Sequence, residues 1–413
     1  MSGIPEQTKS SEKMVLIVDD TPTNIGAISG ALKDFYKTKV ATTGQKALAL
    51  AAAEEKPDLI LLDVMMPEMD GYEVCHRLKA DSATREIPVI FLTGQTGADD
   101  ETRGFEVGAV DYIHKPFSAS VVRARVRNHI LLREARAQLA GQLRALNYEL
   151  EMARQIQLSI LPHSLPKLPG LDIAARFLPM TAVAGDFYDF IQLDDQHIGI
   201  LIADVSGHGL PSALIASMLQ VALTTQSSHA DEPAQVLSGL NKALCGKFTR
   251  NFVTAAYVYL DLTKNVMRYA GAGHPPMLQY RNATGRGSEL LENGIVLGMF
   301  GEATYKDLEV RLEPGDRYVL YTDGILEAAS PADEMYGASR LMDFLQNNKV
   351  LTAHEFADAL VTEIAHWSGQ SSDQGQQDDI TVLLFDFNPS NRRANTDDSS
   401  REAISVAEVA ATI

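Results

Sequence analysis

The chain has 413 residues, of which 45% are hydrophobic and 22% are charged, and its formal net charge is −18. The length favours two or more domains, and the composition is typical of a soluble globular protein. So large a negative charge argues against a nucleic-acid partner. The only two cysteines, Cys75 and Cys245, lie far apart, which excludes a disulfide framework. We find no signal peptide and no apolar run of membrane-spanning length, so we expect a cytoplasmic protein without a membrane partner.

Strands and helices alternate from Met14 to His114. The apolar runs Met14–Val18, Leu59–Leu62 and Val89–Leu92 predict strands that are buried on both faces, as in a parallel sheet. Helical stretches, Tyr72–Ala80 among them, lie between these strands. The pattern predicts a doubly wound, flavodoxin-like α/β domain, which we assign to residues 14–130.

Chemically active side chains follow the strands of this predicted sheet. Asp19 and Asp20 come after the first strand and Asp63 after the third, while Thr93 and Lys115 close the fourth and fifth. Ligands bind at the carboxyl edge of such sheets. Clustered carboxylates there repel one another unless a divalent cation binds them, and Mg²⁺ prefers oxygen ligands. A carboxylate nucleophile beside a metal, a hydroxyl and an ammonium suits phosphoryl transfer to Asp63.

The spacing of these segments resembles that of bacterial response-regulator receivers. The matching pieces are VDD (18–20), DVMMPEMDG (63–71), TG (93–94) and KPF (115–117). The resemblance implies that a sensor histidine kinase is the phosphodonor and that the Lys115–Pro116 peptide bond is cis. It also implies the roles of individual residues: Asp63 is the phosphoacceptor; Asp20, Asp63 and the Met65 carbonyl bind Mg²⁺; Asp19 acts through water; Thr93 and Lys115 contact the phosphoryl group; and Tyr112 is the switch aromatic.

A long helix is predicted from Ser118 to Leu161, and we assign residues 131–161 to a linker. Leucine, alanine or isoleucine recurs at every seventh position at Leu132, Leu139, Leu146, Ala153 and Ile160. The companion positions are His129, Arg136, Leu143, Leu150 and Gln157, so the seam is centred on Leu139–Leu150. This pattern predicts a coiled coil that makes a homodimer. The alternative is one amphipathic helix that lies on a neighbouring domain.

Short strands with glycine-rich turns return from residue 162 to 388. Among them are Val253–Asp261 and Arg317–Tyr321, and helices are predicted at Pro211–Thr225, Pro233–Phe248 and Ala353–Trp367. Runs of strands with helices grouped between them predict an α+β domain with an antiparallel β-sandwich. The polar residues 389–413 are expected to form a disordered tail.

Acidic residues in this second domain also adjoin strand ends. They lie in AGDFYDF (184–190), ILIADVSGHG (200–209), LYTDGILEA (320–328) and QDDITVLLF (377–385). Four carboxylates, Asp186, Asp204, Asp323 and Asp378, could bind two Mn²⁺ or Mg²⁺ ions. A metal pair clamps the attacking and leaving oxygens of a phosphate displacement.

These segments resemble the metal-dependent protein phosphatases of the protein phosphatase 2C type, in the bacterial branch that regulates sporulation and stress sigma factors. AGHPP (272–276) and ARQIQLSILP (153–162) also match that branch. The resemblance implies that Asp204 bridges both metals, that the Val205 carbonyl joins one of them, and that Asp186, Asp323 and Asp378 complete the ligands. Asp379 is the alternative to Asp378. The implied substrate is a phosphoserine or phosphothreonine protein, typically an anti-sigma-factor antagonist.

Two functions from different classes fit these features. The first is a protein serine/threonine phosphatase controlled by phosphorylation of Asp63. The second is a phosphatase-like adaptor that binds a sigma factor or its regulator without catalysis. All four carboxylates are present, which favours the enzyme. A transcription factor is disfavoured because no basic helix-turn-helix unit follows the receiver.

Overall fold

The computed structural model describes residues 13–94, 104–248, 250–369 and 378–389. The chain divides into two compact units, Met1–Leu146 and Asn147–Ile413. In the described ranges we find no helix that combines the length and the apolar character needed to cross a membrane. Most of the predicted disordered tail, residues 390–413, lies outside the described residues.

The first unit contains the predicted parallel sheet of five strands, in the order β2-β1-β3-β4-β5. Its strands are β1 (Met14–Val18), β2 (Lys37–Ala41), β3 (Leu59–Asp63), β4 (Val89–Thr93) and β5 (Asp111–His114), and the helices between them include α1 (Pro22–Leu32), α2 (Gly44–Ala51) and α3 (Gly71–Ala80). The doubly wound α/β prediction is confirmed. The sequence pattern missed β2 because this edge strand carries two lysines and is only partly buried.

Alternate residues of the central strands face two separate apolar layers. Leu16 and Val18 join the layer under α2 and α3. Val15 and Ile17 join the layer on the other face, which also contains Val122. Burial on both faces explains why these strands are continuous apolar runs rather than alternating ones.

The predicted long helix is a single helix of 42 residues, α4 (Ala119–Ile160). Its first turns are attached to the receiver sheet, because Arg125 and His129 both contact the Asp111 carboxylate at 2.8–2.9 Å. Further along, Leu139, Leu143 and Leu146 are each more than half exposed. The described part of the first unit therefore leaves an uncovered leucine stripe on this helix, whereas the predicted coiled-coil dimer stays a prediction.

The second unit consists of two sheets. One has the order β13-β10-β9-β8-β7, with β14 beside β10, and the other has the order β12-β11-β15-β16-β6. All pairs are antiparallel except the two-residue pair of β13 with β10. The strands are β6 (Leu171–Leu178), β7 (Phe187–Gln192), β8 (His197–Val205), β9 (Val253–Asp261), β10 (Val266–Ala272), β11 (Met277–Arg281), β12 (Arg286–Leu290), β13 (Asn293–Gly294), β14 (Leu308–Arg311), β15 (Arg317–Tyr321) and β16 (Ile380–Phe387).

Helices complete the layers of this unit. The helices α5 (Leu210–Thr224) and α6 (Pro233–Leu244) share one apolar core with both sheets. The helices α8 (Gly337–Asn347) and α9 (Ala353–Trp367) pack with the residues of the second sheet that point away from that core. This arrangement confirms the predicted sandwich, and it brings the carboxylate-bearing strand ends of both sheets into one neighbourhood.

Candidate functional site

The acidic cluster of the first unit lies at the carboxyl edge of its parallel sheet. Asp19 and Asp20 follow β1, and Asp63 ends β3. One side-chain oxygen of each residue lies within 4.8 Å of the others, and no other described residues form such a three-ligand group. Asp19 and Asp63 are buried while Asp20 is exposed. This oxygen-only donor set fits Mg²⁺.

Lys115 supplies the positive charge of this cluster. Its Nζ lies 2.9 Å from Asp19 Oδ2 and 3.0 Å from Asp63 Oδ2. Burial raises the pKa of Asp63, and the Lys115 ammonium opposes that rise. Burial acts to lower the pKa of Lys115, but the bonds to Asp19 and Asp63 outweigh it and raise this pKa. The Lys115–Pro116 peptide bond is cis, as the resemblance implied.

The remaining predicted receiver residues surround the same edge. Thr93 is the buried last residue of β4. Tyr112 lies on β5. Its ring centroid is 5.5 Å from the ring centroid of Phe91 and 5.2 Å from that of Phe105. Met65 follows β3, and its side chain is exposed.

Sequence reasoning missed Asn24, whose side-chain amide donates to both oxygens of Asp19 at 3.0 Å. Gly71 had no predicted role beyond its place in the DVMMPEMDG motif. A Cβ at Gly71 would collide with the backbone carbonyl of Asp63, so a glycine is required there. Asn24 is partly buried in the first turn of α1, and no sequence signal separated it from a solvated helix residue.

In the second unit, Asp186 is the most buried of the four predicted carboxylates. Its Oδ2 accepts hydrogen bonds from the hydroxyls of Thr322 (2.7 Å) and Thr381 (2.6 Å). Burial raises the pKa of Asp186 well above its ordinary value, and the nearby Asp204 carboxylate adds to the rise. Sequence reasoning did not give a role to either threonine, although each one adjoins a predicted ligand.

Asp204 lies near the end of β8 and is followed by the buried Val205. Burial, together with the charges of Asp323 and Asp378, raises the pKa of Asp204 to about 7. Such mutual repulsion is relieved when a divalent cation binds between carboxylates.

The other two predicted ligands come from the second sheet. Asp323 begins α7 (Asp323–Leu326), directly after β15, and Asp378 precedes β16. Burial raises the pKa of Asp323, with the Asp378 charge as the next cause. The four carboxylates are thus electrostatic neighbours, although they form no group of three within 4.8 Å in the described residues. Four carboxylates that raise one another's pKa form an oxygen donor set of the kind that divalent metal ions bind.

Asp379 has a different role from Asp378. Its carboxylate accepts the backbone N–H groups of Met180 (2.7 Å) and Gly185 (2.6 Å) and is buried. Asp379 therefore fixes the turn that carries Asp186, and both of its oxygens are engaged by the backbone. This geometry favours Asp378 as the ligand, as we preferred from the sequence.

Gln157 differs from its predicted place in the coiled-coil seam. It is buried, and its side-chain amide donates to the Ala184 carbonyl (2.6 Å) and accepts from the Ala184 N–H (2.9 Å). The seven-residue pattern could not reveal this contact because it is tertiary. The end of α4 is thus bonded to the turn that holds Asp186.

Comparisons with known proteins find separate matches for the two parts of the chain. Residues 15–127 match the family model for the response regulator receiver domain, and residues 194–388 match the model for stage II sporulation protein E (SpoIIE).

Curated and solved relatives cover separate parts of the chain. A probable cyclic di-GMP phosphodiesterase of Vibrio cholerae is 45% identical over 32% of this chain and 30% of its own length. The phosphoserine phosphatase RsbU of Bacillus subtilis is 34% identical over 46% of this chain and 56% of its own length. The chain thus spans about half or less of these curated relatives. The solved SiaA-PP2C domain of Pseudomonas aeruginosa is 26% identical with a TM-score of 0.53, over 60% of this chain and all of that one.

An unfolding experiment can distinguish the different roles that the geometry gives to Asp378 and Asp379. We expect Asp379→Ala to lower the free energy of unfolding of the second unit by roughly 3 kcal/mol, because two buried backbone N–H groups lose a charged acceptor. Asp378→Ala should change this free energy by less than about 1 kcal/mol. Urea unfolding of the full chain, followed by fluorescence of its one tryptophan, Trp367, measures both. A larger loss in Asp378→Ala would reverse our assignment.

Proposed function

We propose that this chain, which carries an N-terminal receiver domain and a C-terminal phosphatase domain of the SpoIIE, PP2C type, is a protein serine/threonine phosphatase controlled by phosphorylation of Asp63. We place the receiver at residues 14–130, the linker at 131–161 and the phosphatase domain at 162–388. The homology of the two domains is the premise, and the catalytic and regulatory roles are our inference from the two carboxylate sites.

The carboxylate ring of the second unit carries the proposal. Asp186, Asp204, Asp323 and Asp378, with the Val205 carbonyl, would hold two Mn²⁺ or Mg²⁺ ions, which when bound supply a water of lowered pKa and neutralise the phosphate. Thr322 and Thr381 orient the Asp186 carboxylate through their hydroxyls. Asp379 holds the turn before Asp186 by accepting the Gly185 N–H. No cysteine or serine nucleophile is needed.

The receiver site supports phosphoryl transfer to Asp63 from a sensor histidine kinase. Asp63 is held beside Lys115, whose ammonium would meet the negative charge of the incoming group. Asp20, Asp63 and the Met65 carbonyl would bind Mg²⁺. Asp19 is engaged by Asn24, Lys115 and the Thr21 N–H, so it would act through water, with Thr93 contacting a phosphoryl oxygen.

We propose a phosphoserine protein as the substrate, and an anti-sigma-factor antagonist as its type. The similarity to a phosphoserine phosphatase, RsbU, supports the first part. The second part rests on the resemblance to the branch that regulates sporulation and stress sigma factors.

Coupling between the sites requires an element that both of them bias. The helix α4 begins on the receiver, where Asp111 binds Arg125 and His129, and ends at Gln157 on the Asp186 turn. We propose that two copies dimerise through Leu139, Leu143, Leu146 and Leu150, and that phosphorylation changes this coiled coil and thereby the Ala184–Asp186 turn.

The phosphoacceptor is tested with radiolabelled acetyl phosphate and Mg²⁺. We expect Asp63→Asn to abolish incorporation, because the nucleophilic carboxylate is removed. Asp70→Asn is the matched control, since asparagine also caps the helix that Asp70 caps, and it should label like the wild type. Undiminished label on Asp63→Asn would move the acceptor elsewhere.

The metal mechanism is tested by hydrolysis of p-nitrophenyl phosphate with Mn²⁺. We expect EDTA to stop turnover and Asp204→Asn to lower kcat by about 100-fold or more, because several kcal/mol of charge stabilisation are lost. Asp195→Asn, in the exposed turn between β7 and β8, is the control and should retain activity. Turnover that survives EDTA would contradict a metal-dependent reaction.

The dimer is tested by sedimentation of the full chain. We expect Leu143→Lys with Leu146→Lys to give a monomer whose phosphatase rate does not respond to acetyl phosphate, because two charges in place of the central leucines remove most of the apolar seam. Gln138→Lys with Ala145→Lys adds the same charge outside the seam and should remain dimeric. A wild-type protein that is monomeric and still responds to acetyl phosphate would rule out regulation through a coiled-coil dimer.

A further inference from the structure

The phosphatase domain contains stretches without acidic residues, and one of them, residues 233–260, carries three exposed cations. The chain contains 54 acidic residues, yet none occurs between residues 233 and 260. In the same stretch Lys242, Lys247 and Arg250 are exposed, and none of the three forms an ion pair within the described residues. Several other cations of this unit are paired with carboxylates; Arg176, for example, binds both oxygens of Asp358 at 2.6 and 2.8 Å.

One of these cations, Arg250, precedes two residues that are hydrogen-bonded to the turn that follows Asp204. The Ser206 N–H donates to the Phe252 carbonyl (3.0 Å), and the Asn251 side chain donates to the Ser206 carbonyl (2.7 Å). Arg250 immediately precedes this pair of contacts. Arg250 is therefore adjacent in sequence to residues that hold the turn after Asp204, one of the proposed metal ligands.

Two exposed apolar side chains lie on a segment that is bonded to the helix that carries Lys242. Met299 and Phe300 are each 53% exposed. Their segment is fixed to the end of α6, because Asn241 accepts the Gly298 N–H (2.8 Å) and donates to the Phe300 carbonyl (2.8 Å). Lys242 is the next residue along the chain. An exposed aromatic and a methionine bordered by unpaired cations are typical of a protein-binding surface.

We propose that this basic rim, Lys242, Lys247 and Arg250 around Met299 and Phe300, is the docking surface for an acidic phosphoserine segment of the substrate protein. The inference rests on the proposed phosphatase function and adds its substrate class. Charge complementarity selects this occupant, since a phosphoserine flanked by acidic residues is attracted to free cations beside a site that otherwise presents carboxylates. Rim cations would guide the segment, and the metal site would receive the phosphate.

The test uses the full chain with Mn²⁺ and acetyl phosphate, and two synthetic phosphoserine peptides of equal length, one with Asp and Glu flanks and one with Lys and Arg flanks. We expect the wild type to prefer the acidic peptide in kcat/KM, and increasing KCl to reduce this preference. Lys247→Glu with Arg250→Glu should lower kcat/KM for the acidic peptide by roughly tenfold and raise it for the basic one. Both residues are exposed, so matched thermal unfolding should confirm that the variant folds.

Lys349→Glu is the matched control, because this exposed lysine follows α8, near the end of the second sheet opposite to Asp323. It should leave the peptide preference unchanged. An unaltered preference in the double variant, or one insensitive to salt, would overturn the docking surface alone. Loss of the response to acetyl phosphate with the preference intact would assign the rim to the chain's own receiver instead. A wild type inactive on both peptides and on p-nitrophenyl phosphate would overturn the proposed function itself.

Discussion

Carboxylates that are held close together at strand ends are the constraint on which both units depend. Burial and neighbouring charge raise the pKa of Asp63 in the first unit and that of Asp204, to about 7, in the second. Such groups repel one another unless cations or hydrogen-bond donors are supplied. The first unit supplies Lys115, and the second supplies two threonine hydroxyls to Asp186. The buried strands around them keep this arrangement from relaxing.

The helix α4 gives the two sites a common element. Its beginning is packed into the receiver through Val122, and its end is bonded to the Asp186 turn through Gln157. Between these ends the leucine stripe is exposed. A helix that is fixed at both ends and uncovered in the middle can respond to a partner helix, and a few kcal/mol suffice to shift such an equilibrium.

The sequence was most informative where a residue's chemistry and a strand end coincide. Buried apolar runs predicted the parallel strands, and the acidic residues after them predicted the first cluster. In the second unit, acidic residues beside strand ends predicted carboxylates that are electrostatic neighbours. Short, partly exposed strands such as Lys37–Ala41 have no regular pattern of hydrophobic residues from which a strand could be predicted. Gln157, Thr322 and Thr381 escaped prediction for another reason: their roles come from contacts across the fold, and a polar residue at a seam or beside a ligand has several possible partners. The same limit left Asp379 as an alternative to Asp378, and the backbone bonds to Asp379 add a structural reason to prefer Asp378.

The central claim is that the receiver controls the phosphatase. Its most direct test is the Mn²⁺-dependent rate of phosphoserine hydrolysis by the full chain, measured before and after treatment with acetyl phosphate. We predict that the rate of the wild type changes several-fold in one direction, consistent with a coupling of about 1–3 kcal/mol. We also predict that Asp63→Asn shows no change. An active enzyme whose rate is the same in both states would contradict the account.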